Sequence, residues 1–161
     1  MLNTSQAIGL LLERVREGLI QDMNDKNMRA SGKTAQSIRP KNSELEGSLT
    51  AVKSIGALIN GRKPTGSGAS RGNPSLYEQI RDWIDNKGIS PDGDMTKESL
   101  AWAITKKIHK YGNRAYRNQA PKLDLNGVVQ VSVKATISDL KKAVANNYKP
   151  NIYKLLNQAL K

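Results

Sequence analysis

The sequence predicts an α+β fold in which a long N-terminal helix packs with two or more shorter helices on a small antiparallel sheet, followed by a helical C-terminal extension. Three observations predict it. Apolar residues recur at helical spacing over Ile8–Met23 and again in segments that begin at Ser75 and Lys97. The stretch 37–59 instead alternates imperfectly and is interrupted by glycine. The length of 161 residues and the hydrophobic fraction of 37% fit one domain with a modest core.

The composition restricts the classes of function. The net charge of +12 favours a polyanionic partner, such as nucleic acid, an acidic protein or a membrane surface. The same net charge also fits a soluble protein whose surface is rich in lysine and that has no polyanionic partner. The chain has no cysteine, which excludes disulfides and thiolate metal sites. Phenylalanine is also absent, so we expect a core of Leu, Ile, Val and Ala completed by Trp83, Trp102 and a few tyrosines.

The N-terminal region predicts a helix and no targeting segment. The apolar stripe within Ile8–Met23, with charges of both signs on its other side, predicts a first helix over about Ser5–Asn27. The apolar patch Ala7–Leu12 lacks a basic leading region and is followed at once by charged residues. No apolar run approaches the ~20 residues of a membrane span. We therefore expect assembly in the cytoplasm, without a membrane.

The next stretch predicts the sheet. Gly32 predicts a turn into a strand near Gln36–Arg39, and an antiparallel hairpin or small sheet is expected within 37–59. Gly32-Lys33-Thr34 resembles the end of a phosphate-binding loop, but Asn27 stands where that motif requires glycine, and a helix precedes it. A nucleotide site is therefore not predicted.

Two capped helices are predicted in the middle of the chain. Ser75 and Glu78 form a capping box for a helix over Ser75–Lys87, and Thr96 is expected to cap a second helix, predicted over Lys97–Tyr111. A glycine directly follows each of them, as is typical of helix ends. The apolar residues at helical spacing are interpreted as core anchors: Leu76, Ile80, Trp83, Ile84, Leu100, Ile104 and Ile108.

The remainder of the chain predicts a helical extension. Asn113–Asn126 is expected to be a loop, and Val128–Val133 is briefly β-like. A helix is predicted over Val133–Tyr148, Pro150 is expected to break it, and a final helix follows.

Two regions concentrate positive charge. Gly61–Pro74 contains no acidic residue and is rich in glycine and serine, so we interpret it as a flexible assembly arm that contacts a partner. Its candidate contact residues are Arg62, Lys63, Pro64 and Arg71. Between Ser99 and Leu123 six basic residues occur without an acidic one, and tyrosines are interleaved, a pattern that can hold a nucleic-acid backbone. These candidate DNA-facing residues are Lys106, Lys107, Lys110, Arg114, Arg117 and Lys122. A solvated lysine face explains the second pattern equally well.

No catalytic, metal or cofactor site is predicted. His109 is the only histidine and has no cysteine to join it as a ligand. Asp92, Asp94 and Glu98 are spaced like calcium ligands, but Lys97 occupies the place of the loop glycine.

Four short motifs, in order, resemble a known family. They are Ser31-Gly-Lys-Thr-Ala-Gln-Ser-Ile38, Gly61-Arg-Lys-Pro64, the Trp83-Ile84-x-x-Lys87-Gly88-Ile89 segment, and the helix Leu100–Ile108 closed by Gly112. Together they resemble the neck or tail-completion proteins of tailed bacteriophages, over roughly residues 1–112. The chain departs from the family pattern at Lys33, where arginine is common, and at Leu58-Ile59-Asn60, where aromatic residues are common.

The resemblance implies a structural virion protein rather than an enzyme. It implies a core domain over 1–112, with 113–161 as an extension of the same domain. It also implies a hexameric or dodecameric ring at the head–tail junction, which joins portal or adaptor proteins to tail proteins and passes double-stranded DNA through its lumen. The implied location is the virion neck, after assembly in the host cytoplasm.

Two other functions remain open. The first is a small basic nucleic-acid-binding module without a virion role. The second is a metal-dependent nuclease that uses Asp92 with Asp139 and Lys141. It is less favoured, because Asp139 and Lys141 lie in a helical pattern rather than on a strand.

Overall fold

A computed structural model of the chain describes residues 3–66, 69 and 72–159. The described chain is mostly helical, with a long N-terminal helix, several shorter helices, a two-stranded antiparallel sheet and a C-terminal helix, which confirms the predicted fold class. The elements in order are α1 (Thr4–Asp25), α2 (Lys33–Gln36), β1 (Arg39–Asn42), β2 (Gly47–Thr50), α3 (Ser54–Asn60), α4 (Leu76–Asn86), α5 (Lys97–Tyr111) and α6 (Leu125–Ala159).

The contacts of the described residues form two compact units, each discontinuous in sequence. Unit 1 lies within residues 1–22, 36–52 and 124–161, and unit 2 within 23–35 and 53–123. Unit 1 therefore combines most of α1 with the sheet and α6, whereas unit 2 contains α2 to α5 without the sheet. The division at Gly112 that the family resemblance implied stays a prediction.

The hairpin of unit 1 packs against the first helix. Its two strands pair antiparallel, from Arg39 opposite Thr50 to Asn42 opposite Gly47. A Cβ on Gly47 would lie 2.6 Å from the Cγ2 of Ile8, so only glycine allows this close approach. The buried residues of the unit are mostly small or aliphatic: Ala7, Leu12, Val15, Leu19, Ile38 and Ala143.

Helix α6 also belongs to unit 1, and it begins earlier than predicted. Asp124 caps it, because its Oδ1 accepts a hydrogen bond from the Gly127 N–H at 2.9 Å. Val128–Val133, predicted to be β-like, therefore forms the first turns of α6. The prediction that Pro150 ends a helix is also wrong, because Pro150 lies inside α6. A proline removes one backbone hydrogen bond and kinks a helix without having to end it.

Helices α4 and α5 pack together in unit 2, and the predicted caps begin both of them. The capping box of Ser75 and Glu78 forms in full, and the Thr96 hydroxyl accepts from the Ser99 N–H at 3.1 Å. Lys97 Nζ lies 2.7 Å from Asp85 Oδ1, an ion pair that joins the start of α5 to the end of α4.

Two local predictions between residues 33 and 60 are wrong. Lys33–Gln36 is a single helical turn, and the first strand begins only at Arg39. Ser54–Asn60 is helical rather than extended. Its apolar residues Ile55, Leu58 and Ile59 are spaced by three and four, which is the helical period, although the residues before them alternate.

The predicted core anchors are only partly buried. Ile84 is fully buried, whereas Leu76, Ile80, Leu100, Ile104 and Ile108 are half-buried. The buried positions of α5 are instead the smaller residues Ala101 and Thr105.

The aromatic residues do not complete the core as expected. Trp83 is 39% exposed and Trp102 is 59% exposed, and four of the five tyrosines are also exposed. An aliphatic core therefore forms without them, and the large rings remain on the surface.

Candidate functional site

Residues 61–65, which we call the strap, lie against the end of α5 and the turn that follows it. Gly61 has a φ of 77°, and a Cβ there would lie 2.2 Å from the backbone nitrogen of Tyr116. Gly112 has a φ of 76°, and a Cβ there would lie 2.8 Å from the carbonyl oxygen of Arg62. Both glycines are therefore required by backbone conformation and by close approach.

Hydrogen bonds hold the strap in place. The Arg62 N–H donates to Asn113 Oδ1 at 3.0 Å, and the Asn113 N–H donates to the Arg62 carbonyl oxygen at 2.9 Å. The Thr65 N–H donates to the His109 carbonyl oxygen at 2.9 Å, and the Thr65 hydroxyl also bonds to His109 Nδ1. His109 is thus a structural partner of the strap.

The assembly arm is therefore not flexible along its whole length. The strap is fixed at both ends, so the prediction of a flexible Gly61–Pro74 loop is wrong for residues 61–65. Arg62 is half-buried, and Lys63 and Pro64 are exposed. Arg71, the fourth candidate contact residue, lies outside the described residues. The role of these residues in assembly stays a prediction.

One side of α5 forms an exposed basic face, defined by Lys106, Lys107 and Lys110. Trp102 stands on the same side, and Lys106 Nζ lies 4.7 Å from the centre of its ring. Lys110 Nζ lies 5.0 Å from the ring centre of Tyr111, and a hydrogen bond with Tyr111 raises the pKa of Lys110 above its ordinary value. The face therefore offers fixed positive charge beside an exposed aromatic ring.

Sequence reasoning missed the role of Trp102 because it assigned both tryptophans to the core. A signal was present, since Trp102, Lys106 and Lys110 are spaced by four and lie along one side of a helix. A core residue would instead align with the buried positions Ala101 and Thr105.

The other three candidate basic residues differ from the lysines of α5. Arg114 is exposed in the turn after α5. Arg117 is half-buried, and its Nε is enclosed without a hydrogen-bond partner among the described residues. Lys122 is half-buried and donates from Nζ to Asn118 Oδ1 at 2.8 Å. Arg114 therefore suits contact with a partner better than Arg117 and Lys122 do.

Acidic residues gather at the opposite end of α5. Asp92, Asp94 and Glu98 are all exposed at or just before its first turn. About 18 Å of helix separates Glu98 from Lys110, at ~1.5 Å per residue. Negative and positive charge are thus separated along one helix, and the basic face has no acidic neighbour on α5 itself.

Unit 2 also contains an open cavity of ≈ 510 Å³. Trp83, Leu58 and Ile89 contribute apolar walls, and Lys87 is the one charged lining residue. Its Nζ donates to Asn27 at both the backbone carbonyl oxygen (3.0 Å) and Oδ1 (2.7 Å). The ammonium group of Lys87 is thus engaged, and the described residues that line the cavity include no carboxylate, histidine or cysteine.

Neither a metal cluster nor a membrane span is found in the described chain. Within residues 3–66, 69 and 72–159, no three histidine, cysteine or acidic side chains are grouped so that they could hold a metal ion. Over the same ranges, every helix is too short or too polar to cross a bilayer. No protein-family model, curated protein or solved structure matches the chain.

Proposed function

We propose that this protein is a structural subunit of the head–tail junction of a tailed bacteriophage, which assembles into a closed ring and passes DNA through its lumen. The proposal rests on the family resemblance and on one observation in unit 2. Motifs far apart in the sequence meet there: Gly61 and Pro64 of the strap lie against Gly112 and the residues after it. Two of the four motif segments thus contact each other across some 50 positions of sequence.

The surface of unit 2 supports this proposal. Trp83, Trp102, Tyr111 and Tyr116 are between 38% and 59% exposed, although aromatic side chains bury large apolar areas. Exposed aromatic residues are common at protein interfaces. A subunit whose burial is completed by neighbouring copies is expected to leave such rings accessible.

The basic face supports passage of DNA. Lysine side chains attract phosphates by counterion release and do not read the base sequence. Lys106, Lys107 and Lys110 are exposed together and carry no acidic neighbour on α5. In the proposed ring this face is directed towards the lumen, where it supplies mild attraction independent of sequence.

The assembly state tests the proposal directly. Purified full-length protein, imaged by negative-stain electron microscopy over a range of concentrations, should give class averages of closed rings. Particles that contain the protein should show a ring at the neck. A monomer at all concentrations, together with a single copy in mature particles, would refute it.

The lumen assignment has its own test. Lys106→Ala/Lys110→Ala should lower the magnitude of the slope of log K against log [salt] for duplex binding by about 2 for each contacting subunit. The control is Lys41→Ala/Lys53→Ala, which removes the same charge from exposed lysines outside the basic face. Equal effects of the two double variants would mean that overall charge, rather than this face, binds DNA.

The second candidate is a small nucleic-acid-binding module, and the exposed Trp102 favours it. An exposed ring beside lysine can stack on unpaired bases, at ~1–3 kcal/mol per base. This function predicts a monomer that binds single-stranded DNA more tightly than duplex, with affinity lost in Trp102→Ala. A ring-forming protein whose DNA binding is insensitive to Trp102→Ala would reject it.

A further inference from the structure

Helix α6 packs on the rest of unit 1 through a mixed set of polar and apolar side chains, and leaves some of its larger apolar side chains exposed. Its buried residues include Ser132, Thr136 and Ala143, spaced by four and seven. Thr136 Oγ1 donates to the Ser132 carbonyl oxygen at 2.7 Å and accepts from Arg14 Nη1 at 2.9 Å. Small and hydrogen-bonded side chains, together with Val128 against Gly18, therefore hold the helix to α1.

Four of the exposed apolar residues of α6 form a stripe, and one of them, Tyr148, also lines a cleft with Glu44 and Leu45. Ile137, Val144, Tyr148 and Ile152 are 46%, 43%, 46% and 55% exposed, and we call them the α6 stripe. The spacings of seven and four place Ile137, Val144 and Tyr148 within roughly 40° of one another at ~100° per residue, and Ile152 continues the row beyond Pro150. The stripe is about 22 Å long and lies roughly a third of a turn away from the buried Thr136 and Ala143.

The width of the stripe indicates what kind of surface would cover it. An apolar face that packs on a broad core or lies in a membrane interface usually covers more than ~100° of the helix, whereas a seam between two helices is narrower. A stripe of four side chains along three to four turns matches a helical partner.

The charges beside the stripe indicate the chemistry of that partner. Lys134 and Lys141 are exposed along one of its edges, and Lys142 and Lys149 are exposed further round the same side. Asp139 is the only acidic residue of α6. Two copies packed through this face would bring lysines together, which disfavours pairing with itself. An acidic helix would instead oppose these lysines with carboxylates.

We propose that the α6 stripe is a docking site for an acidic amphipathic helix of another protein, with apolar side chains along the stripe and glutamate or aspartate opposite Lys134 and Lys141. This site lies in unit 1 and does not depend on the ring proposed above. The C-terminal helix would then serve to bind another protein through this stripe.

Synthetic peptides test the proposal with the full-length protein. An acidic 21-residue amphipathic peptide, with leucine at the a and d heptad positions and glutamate at e and g, is compared with the same peptide carrying lysine at e and g. Fluorescence anisotropy at ~0.15 M salt, where exposed charges further apart than ~8 Å are largely screened, should show at least tenfold tighter binding of the acidic peptide. Failure of the acidic peptide to bind, or equal binding of both peptides, would overturn the proposal.

Two sets of variants place the binding on the stripe. Val144→Ser should weaken binding at least fivefold, whereas Val131→Ser, which changes a 68% exposed valine of the same helix outside the stripe, should leave it unchanged. Lys134→Glu/Lys141→Glu should lose the acidic peptide and bind the basic one. Circular dichroism verifies that each variant is folded, and equal effects of the two serine variants would overturn the proposal.

If something other than an acidic helix covers the α6 stripe, the same variants give a different result. If Val144→Ser lowers the mass of the protein's own assemblies in light scattering, the stripe is a contact between copies, and the proposal is overturned while the ring stands. If Val144→Ser abolishes sedimentation with phosphatidylserine vesicles, the stripe binds a lipid surface and the proposal is likewise overturned.

Discussion

Replacement of Gly61 by alanine should destabilise unit 2 by about 3–4 kcal/mol. A residue with a side chain at a φ of 77° and a ψ of 163°, a region essentially restricted to glycine, costs about 2 kcal/mol of conformational energy. The new Cβ would also lie 2.2 Å from the backbone nitrogen of Tyr116, which cannot rotate away. The strap must therefore move, and the two hydrogen bonds between Arg62 and Asn113 would be lost, at about 1 kcal/mol each.

Two glycines provide matched controls. Gly88 has a φ of 62°, and a Cβ there would meet no other atom within 4 Å, so Gly88→Ala should cost only the conformational energy of about 1–2 kcal/mol. Gly56 lies inside α3 in open space, so Gly56→Ala should stabilise the protein by about 0.5–1 kcal/mol. The three substitutions thus separate backbone strain from close approach.

Urea unfolding followed by tryptophan fluorescence measures all three variants, because both tryptophans lie in unit 2. Gly61→Ala should also lower Tm by about 6–16 °C for a chain of this length. A free energy of unfolding for Gly61→Ala equal to that of Gly88→Ala would refute the reasoning, because it would mean that the strap does not contact Tyr116.

Two further predictions concern α4. Trp83→Ala should lower the free energy of unfolding by about 2 kcal/mol and Ile84→Ala by ~4 kcal/mol, because Trp83 is 39% exposed and Ile84 is fully buried. Chemical denaturation measures both variants. A larger loss for Trp83→Ala than for Ile84→Ala would place Trp83 in the core. The hydrogen bond from Lys97 holds the pKa of Asp85 below its ordinary value of 3.8. Because the pKa of Asp85 is lower in the folded protein than in the unfolded chain, its ionised form stabilises the fold at pH values above 3.8. This stabilisation is lost as the pH falls through the lowered pKa. Lys97→Met should therefore reduce stability at pH 7 by an amount that shrinks as the pH falls below 3.8, and an effect that does not change with pH would contradict this.

Signals local in sequence predicted local structure well. The capping box at Ser75 and Glu78 and the cap at Thr96 involve residues three positions apart, and both formed as predicted. The cap at Asp124 was equally local and was overlooked, because the valines after it suggested a strand.

Features that depend on distant contacts could not be predicted. The sequence around Trp83 and Trp102 is amphipathic whether the rings are buried or exposed, and only the folded structure shows that they are exposed. The strap likewise depends on Asn113, which is 51 residues from Arg62 in sequence. The sequence predicted the lysines of the basic face but not the exposed Trp102 beside them, because a tryptophan is suited to a core as well as to a surface.

The discontinuity of unit 1 has a consequence for synthesis on the ribosome. Arg14 bonds to Thr136, 122 positions later, so α1 has no α6 to pack against until the last third of the chain has been made. At ~5–20 residues per second, this delay is about 6–25 s. All partners within unit 2 lie between residues 23 and 123 and are translated earlier. The side of α1 that contacts α6, around Arg14 and Gly18, is therefore the part of unit 1 that stays uncovered longest during synthesis.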